Sequence, residues 1–107
     1  MDNKKDIILR EMSDLARLMF SSGDGSVYLY GSQARGDSSP HSDWDILVIT
    51  DDSIATDDDF MHFAFPYAEI GWRHGEQITP LHYTRSQWDA QKGTAFYSNV
   101  ISEAIRL

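Results

Sequence analysis

The chain has 107 residues, of which 41% are hydrophobic and 24% are charged, and its formal net charge at pH 7 is −8. This length predicts one domain over residues 1–107 with a single hydrophobic core, and the lack of cysteine excludes disulfides and thiolate metal sites. The acidic charge argues against general nucleic-acid binding, which needs clustered Lys and Arg. It leaves two options, a nucleotide held through a cation or contact with a basic protein.

The N-terminal segment predicts an amphipathic helix over residues 6–20. Its apolar residues recur at helical spacing, among them Ile7, Ile8, Met12 and Leu15. The segment lacks the apolar stretch of a signal peptide, and no apolar run approaches the roughly 20 residues that cross a membrane. We therefore expect a cytoplasmic protein without a membrane partner.

Short β-prone and helical segments alternate along the rest of the chain. The pattern predicts strands at residues 27–30, 44–49 and 76–83, and helices at residues 32–35, 60–72, 86–91 and 95–105. Ser32 is predicted as the N-cap of the second helix. Pro66 should kink the third helix or start a new one, and Pro80 predicts a sheet edge or a bulge. This order predicts an α+β fold in which helices cover a small mixed β-sheet.

A glycine turn, Gly31-Ser32, follows the first predicted strand. A strand that ends there and leads into a helix directs backbone N–H groups toward one spot, which suits a phosphate. Glycine lets the phosphate approach the backbone closely, and the Ser32 hydroxyl adds a donor. Gly31 and Gly36 have the spacing of a P-loop, yet Asp37 stands where that motif needs lysine. We therefore reject a P-loop.

Two aspartates, Asp43 and Asp45, lie at the start of the second predicted strand. Residues i and i+2 of a strand point to the same face, so both carboxylates should project together while Trp44 points away. Paired carboxylates suit Mg²⁺, which binds oxygen ligands and often completes its shell with phosphate oxygens. Together with the glycine turn, this arrangement indicates metal-assisted nucleotidyl transfer, in which two metal ions would align the attacking and leaving oxygens.

The glycine turn and the aspartates together form a longer motif. The sequence reads GSQARG at residues 31–36 and, after five further residues, SDWD at residues 42–45. This pattern resembles the signature of the polymerase-beta-like nucleotidyltransferase superfamily, and most of all its minimal nucleotidyltransferases. The resemblance implies the polymerase-beta-like palm fold and ATP or another nucleoside triphosphate as substrate. It also implies that Gly31 and Ser32 hold the β- and γ-phosphates, that Asp43 and Asp45 are catalytic and bind Mg²⁺, and that Arg35 touches phosphate or pairs with a carboxylate.

The family usually has a third carboxylate on the next strand, which assists the second metal and activates the acceptor. In residues 76–83 the only acidic residue is Glu76, so Glu76 is predicted as the third catalytic residue although it stands at the start of the strand. The alternative is an exposed glutamate at the sheet edge, which would favour nucleotide binding over turnover. His82 is either a base at neutral pH or a surface histidine.

Three functions are compatible with these features. The first is transfer of a nucleoside monophosphate, AMP from ATP, to a hydroxyl acceptor. The resemblance implies that this acceptor belongs to a HEPN-domain toxin protein, which some minimal nucleotidyltransferases modify with AMP. The second is a catalytically weak or inactive nucleotide-binding antitoxin that acts by protein–protein contact. The third is a small-molecule nucleotidyltransferase of the antibiotic-modifying type, which ranks last because 107 residues leave no room for an additional helical domain.

Overall fold

The computed structural model describes residues 3–107. Helices and strands follow one another as α1 (Lys4–Met19), β1 (Gly25–Tyr30), α2 (Ser32–Arg35), β2 (Trp44–Thr50), α3 (Phe65–Arg73), β3 (Ile78–Thr84), α4 (Arg85–Asp89), α5 (Ala95–Glu103) and β4 (Ile105–Arg106). A 3₁₀ turn at Asp52–Ile54 and a π-helical segment at Phe60–Ala64 connect β2 to α3. Within residues 3–107, no helix has the length and apolar character needed to cross a bilayer.

The strands form one mixed sheet in the order β3-β2-β1-β4. Strand β1 pairs antiparallel with β2 and with β4, whereas β2 and β3 are parallel. Parallel neighbours need a crossover, and α3 lies in the connection between them. The predicted α+β fold with a mixed sheet is thus confirmed, and Pro80 lies on an edge strand, where its missing N–H costs no central ladder bond.

The side chains of β2 alternate between two packed layers. Trp44, Ile46 and Val48 join the core formed with α1 and α3, and we call this side of the sheet the α1 face. Leu47 and Ile49 point the other way, into a second cluster with residues of α4 and α5, and we call this side the α5 face. Strand alternation therefore places Asp45 on the α5 face.

Several predicted boundaries need correction. Ser32 is the first residue of α2 and Gly31 is its N-cap, with no side-chain cap. The predicted third helix is a π-helical segment at Phe60–Ala64 that continues directly into the α-helix at Phe65, with Pro66 in the first turn of the α-helix. The last predicted helix ends at Glu103, and the short strand β4 follows it.

Candidate active site

Asp45 occupies the second position of β2 at the centre of the sheet. Its neighbours across the ladders are Tyr30 on β1 and Thr79 on β3. Asp45 is half-buried, whereas Asp43, which precedes the strand, is exposed. Since Trp44 is buried in the α1 core, the expectation that it points away from Asp45 is confirmed.

Gly31 lies directly against Asp45 at the end of β1. It has φ 76° and ψ −161°, a conformation that is essentially restricted to glycine. A Cβ at Gly31 would overlap Oδ2 of Asp45. The glycine turn and the strand aspartate, predicted separately from the sequence, are therefore in contact.

Glu103, the last residue of α5, is a site residue that the sequence prediction missed. Its Oε2 accepts a hydrogen bond from the backbone N–H of Gly31 and one from Nη1 of Arg35 at 3.0 Å. Its side chain is only 15% exposed. The helix dipole disfavours a carboxylate at a helix C-terminus, and that mismatch is the signal in the sequence that could have identified Glu103.

Arg35, at the end of α2, pairs with two carboxylates. Its Nε donates to Oδ2 of Asp37 at 3.1 Å, and its Nη1 donates to Glu103. Of the two roles predicted for Arg35, the structure contains the carboxylate pairing. This pairing holds the 31–37 turn against the end of α5.

The site concentrates negative charge. Burial raises the pKa of Asp45, and the charges of Asp43 and Glu103 raise it further, while Arg35 acts in the opposite direction. Burial, together with the charge of Asp45, raises the pKa of Tyr30 to about 12. Clustered, partly desolvated carboxylates favour uptake of a positive charge at this point of the α5 face.

The carboxylates of Asp43 and Asp45 fit a metal ion that takes only a few of its ligands from the protein. Within the described residues, no group of three or more His, Cys, Asp or Glu side chains is arranged to hold a metal. Asp43 and Asp45 supply two carboxylates, and Mg²⁺ commonly binds through one or two carboxylates plus substrate phosphates and water. These residues therefore suit a Mg²⁺ ion whose remaining ligands come from a phosphate-bearing substrate.

A protein-family model described as polymerase beta nucleotidyltransferase matches residues 25–101. The chain belongs to this nucleotidyltransferase family. The matched region spans β1, β2 and β3, the three strands around Asp45, and it stops short of Glu103 and β4.

One solved structure is similar to this nucleotidyltransferase domain over almost its whole length. It is a toxin–antitoxin crystal structure with AMP-PNP, with a TM-score of 0.56 and 15% sequence identity, covering 97% of this chain and 72% of the other. At this identity the likeness shows the fold. No curated protein matches the sequence.

Glu76, the predicted third carboxylate of the nucleotidyltransferase, precedes β3 instead of starting it. The backbone N–H of Glu76 donates to the carbonyl of Gly71 at 2.9 Å, and that of Gly75 donates to Trp72 at 3.3 Å. These bonds form a Schellman motif that ends α3. Glu76 is therefore part of the C-terminal cap of α3, and β3 begins at Ile78.

The carboxylate of Glu76 also has partners away from Asp45. Oε1 accepts the indole N–H of Trp44 at 3.3 Å, and Oε2 lies 3.5 Å from Nζ of Lys4. Glu76 and Asp43 line one shallow cavity of about 210 Å³. The catalytic role of Glu76 stays a prediction, and the position beside Asp45 on β3 is held by Thr79.

His82, the alternative base, is on the other side of the sheet. Its Nε2 is 2.8 Å from Oγ1 of Thr50, and its ring stacks on Phe63 at a centroid distance of 5.7 Å. It pairs with Val48, whose side chain belongs to the α1 core. His82 is therefore separated by the sheet from Asp45.

Proposed function

We propose that this domain is a Mg²⁺-dependent nucleotidyltransferase that transfers a nucleoside monophosphate, AMP from ATP, to a hydroxyl acceptor. The observation that carries the proposal is the contact between Gly31 and Asp45, which joins a backbone phosphate donor to a metal-binding carboxylate. Both lie within the segment that matches the nucleotidyltransferase family.

Each residue has a defined task in this proposal. Asp43 and Asp45 hold Mg²⁺, and Gly31 and Ser32 bind the β- and γ-phosphates through backbone N–H groups and a hydroxyl. When bound, the metal supplies charge neutralisation at the phosphate oxygens. Before nucleotide binds, Arg35 pairs with Glu103 and so connects the turn to α5. The acceptor oxygen forms a bond to the α-phosphorus. The bond between the α-phosphorus and the oxygen that bridges to the β-phosphate breaks, so pyrophosphate leaves and the acceptor proton is released to solvent.

We propose a partner protein of the HEPN toxin type as the acceptor. The fold is similar to a solved toxin–antitoxin structure with AMP-PNP, which supports a protein partner and an adenine nucleotide. The net charge of −8 also suits contact with a basic partner. The cytoplasmic location expected from the sequence stays a prediction.

A second candidate function is an antitoxin that binds nucleotide or its partner without turnover. The observation that favours it is Thr79, which stands beside Asp45 on β3 where a third carboxylate would assist catalysis. Under this alternative the wild-type protein binds the partner but transfers no nucleotide to it.

Calorimetric titration of ATP tests the site, and nucleotide transfer tests the activity. We expect ATP to bind with Mg²⁺ and not with a chelator, and to lose binding in Asp43→Asn/Asp45→Asn. The Asp37→Asn variant, which removes an exposed carboxylate near the same turn, is the matched control and should bind like wild type. Labelling of a HEPN partner from α-labelled ATP by wild type alone supports the enzyme. Metal-independent binding, or labelling by the double variant, contradicts it.

A further inference from the structure

Glu103 holds the same backbone donor that the proposed nucleotide site assigns to phosphate. Its carboxylate accepts the N–H of Gly31 and pairs with Arg35. The Gly31 N–H cannot hold the Glu103 carboxylate and a phosphate together, because the two negative charges would repel each other at that distance. A phosphate that binds Gly31 must therefore displace Glu103.

The carboxylate is held in place by the end of α5. Val100, one turn earlier, is 3% exposed and packs in the core of the α5 face. The backbone N–H of Ala104 donates to the carbonyl of Val100 at 2.8 Å. Because the helix is anchored, the Glu103 carboxylate has a high effective concentration at the Gly31 N–H. A free anion in solution therefore competes poorly with it.

We propose that Glu103 is a specificity-determining residue of the nucleotide site, which admits metal-bound triphosphates and excludes free anions. The proposal rests on the function proposed above. A triphosphate that is also anchored through a cation at Asp43 and Asp45 has a second attachment, so it displaces the carboxylate where a simple phosphate does not.

The charge of the site favours metal-bound triphosphates over free anions. Glu103 is close enough to Asp45 to act on it electrostatically. A phosphate without a cation adds negative charge to a cluster that already contains Asp43, Asp45 and Glu103. A triphosphate that brings a divalent cation neutralises part of that charge, and the same cation offsets the repulsion from the displaced carboxylate.

The test compares Glu103→Ala with a matched variant, Asp37→Ala. Asp37 is the other carboxylate that pairs with Arg35, and the contact to the Gly31 N–H comes from Glu103. The probes are tripolyphosphate without metal, followed by the amide signal of Gly31 in NMR spectra, and ATP with Mg²⁺, followed by calorimetry. Thermal unfolding checks that each variant is folded, and Glu103→Gln replaces Glu103→Ala if the alanine variant is not.

We expect tripolyphosphate to shift the Gly31 amide in Glu103→Ala at concentrations that leave wild type and Asp37→Ala unchanged. Its affinity should rise roughly tenfold or more, the scale of a lost charge-assisted hydrogen bond. The affinity for ATP with Mg²⁺ should rise less, so that the preference for the metal-bound triphosphate falls.

Two results would overturn the inference. One is a folded Glu103 variant with no gain in tripolyphosphate binding, and the other is an equal gain in Asp37→Ala, which would indicate a general charge effect. The proposed function fails separately, because it predicts Mg²⁺-dependent ATP binding by wild type. If Glu103→Ala gains tripolyphosphate binding while ATP binds no variant with metal dependence, the exclusion of free anions by Glu103 stands, whereas the selection of metal-bound triphosphates fails together with the nucleotidyltransferase function.

Discussion

Oδ2 of Asp45 lies against Gly31 at the point where any other residue would carry its Cβ. The contact links the end of β1 to the second residue of β2, in neighbouring antiparallel strands. Glycine at this position is needed both for its backbone conformation and for the space that the carboxylate fills.

Replacing Gly31 by alanine should therefore damage stability and binding together. The backbone conformation alone costs about 1–3 kcal/mol in a residue with a side chain, and the new Cβ forces Asp45 to move. Gly36→Ala is the control, because Gly36 has φ 83° but a Cβ there meets nothing within 4 Å. We expect both variants to lose stability in chemical denaturation, and only Gly31→Ala to lose Mg²⁺-dependent ATP binding. Normal binding by a folded Gly31→Ala protein would show that the contact is dispensable.

Asp45→Asn should stabilise the metal-free protein. Burial and the charges of Asp43 and Glu103 raise the pKa of Asp45, so the ionised carboxylate is less favourable in the folded state than in the unfolded chain at neutral pH. Because Asp45 is only half-buried, solvent screens these charges, so neutralising it should raise the free energy of unfolding by less than about 1 kcal/mol.

Adding ATP with Mg²⁺ should make wild type more stable than Asp45→Asn. At one hundred times its dissociation constant, ATP with Mg²⁺ stabilises wild type by about 2.7 kcal/mol and should leave Asp45→Asn unchanged. The measurement is urea denaturation with and without both ligands. An Asp45→Asn protein that is less stable than wild type in a chelator would instead identify Asp45 as a structural residue.

Glu76→Gln separates a catalytic from a structural role for Glu76. Glutamine keeps an oxygen for the indole N–H of Trp44 and loses the ion pair with Lys4, whose side chain is 56% exposed. An exposed pair contributes under about 1 kcal/mol. On these contacts we expect transfer activity within roughly threefold of wild type. A loss of about a hundredfold or more, typical of a missing acid–base group, would establish Glu76 as the third catalytic carboxylate.

His82 makes the stability of the fold sensitive to acid. Burial lowers its pKa from the ordinary 6.5, with Asp59 acting in the opposite direction. The folded state therefore resists protonation more than the unfolded chain does, and the stability present above pH 6.5 declines as the pH falls below that value. We expect the free energy of unfolding to decline less between pH 7 and pH 5 in His82→Gln than in wild type. Parallel pH profiles for the two proteins would contradict this.

Local patterns predicted much of the fold because they depend on near neighbours in the chain. Alternation along β2 correctly separated Trp44 from Asp45, and Pro66 marked the change from π-helix to α-helix at Phe65. The Schellman bonds at Gly75 extend the cap of α3 through Glu76, so the strand was predicted two residues too early.

The parts that sequence did not predict depend on distant contacts. Strand β4 has two residues, Ile105 and Arg106, too few to show alternation, and it exists because it pairs with β1. Glu103 contacts Gly31 across 72 positions of the chain, a relation that no local spacing contains. For this reason the roles of Asp43 and Asp45 were predicted from a motif, whereas the contact between Glu103 and Gly31 emerged only from the folded structure.

The 72-residue separation between Gly31 and Glu103 also orders the assembly of the site in time. Closing so long a loop costs more entropy than pairing β1 with β2, so contacts made by α5 and β4 are expected late in folding. On the ribosome, Asp43 and Asp45 are synthesised well before Glu103. Under the proposed role of Glu103, selectivity at the Gly31 donor therefore arises only once α5 has docked.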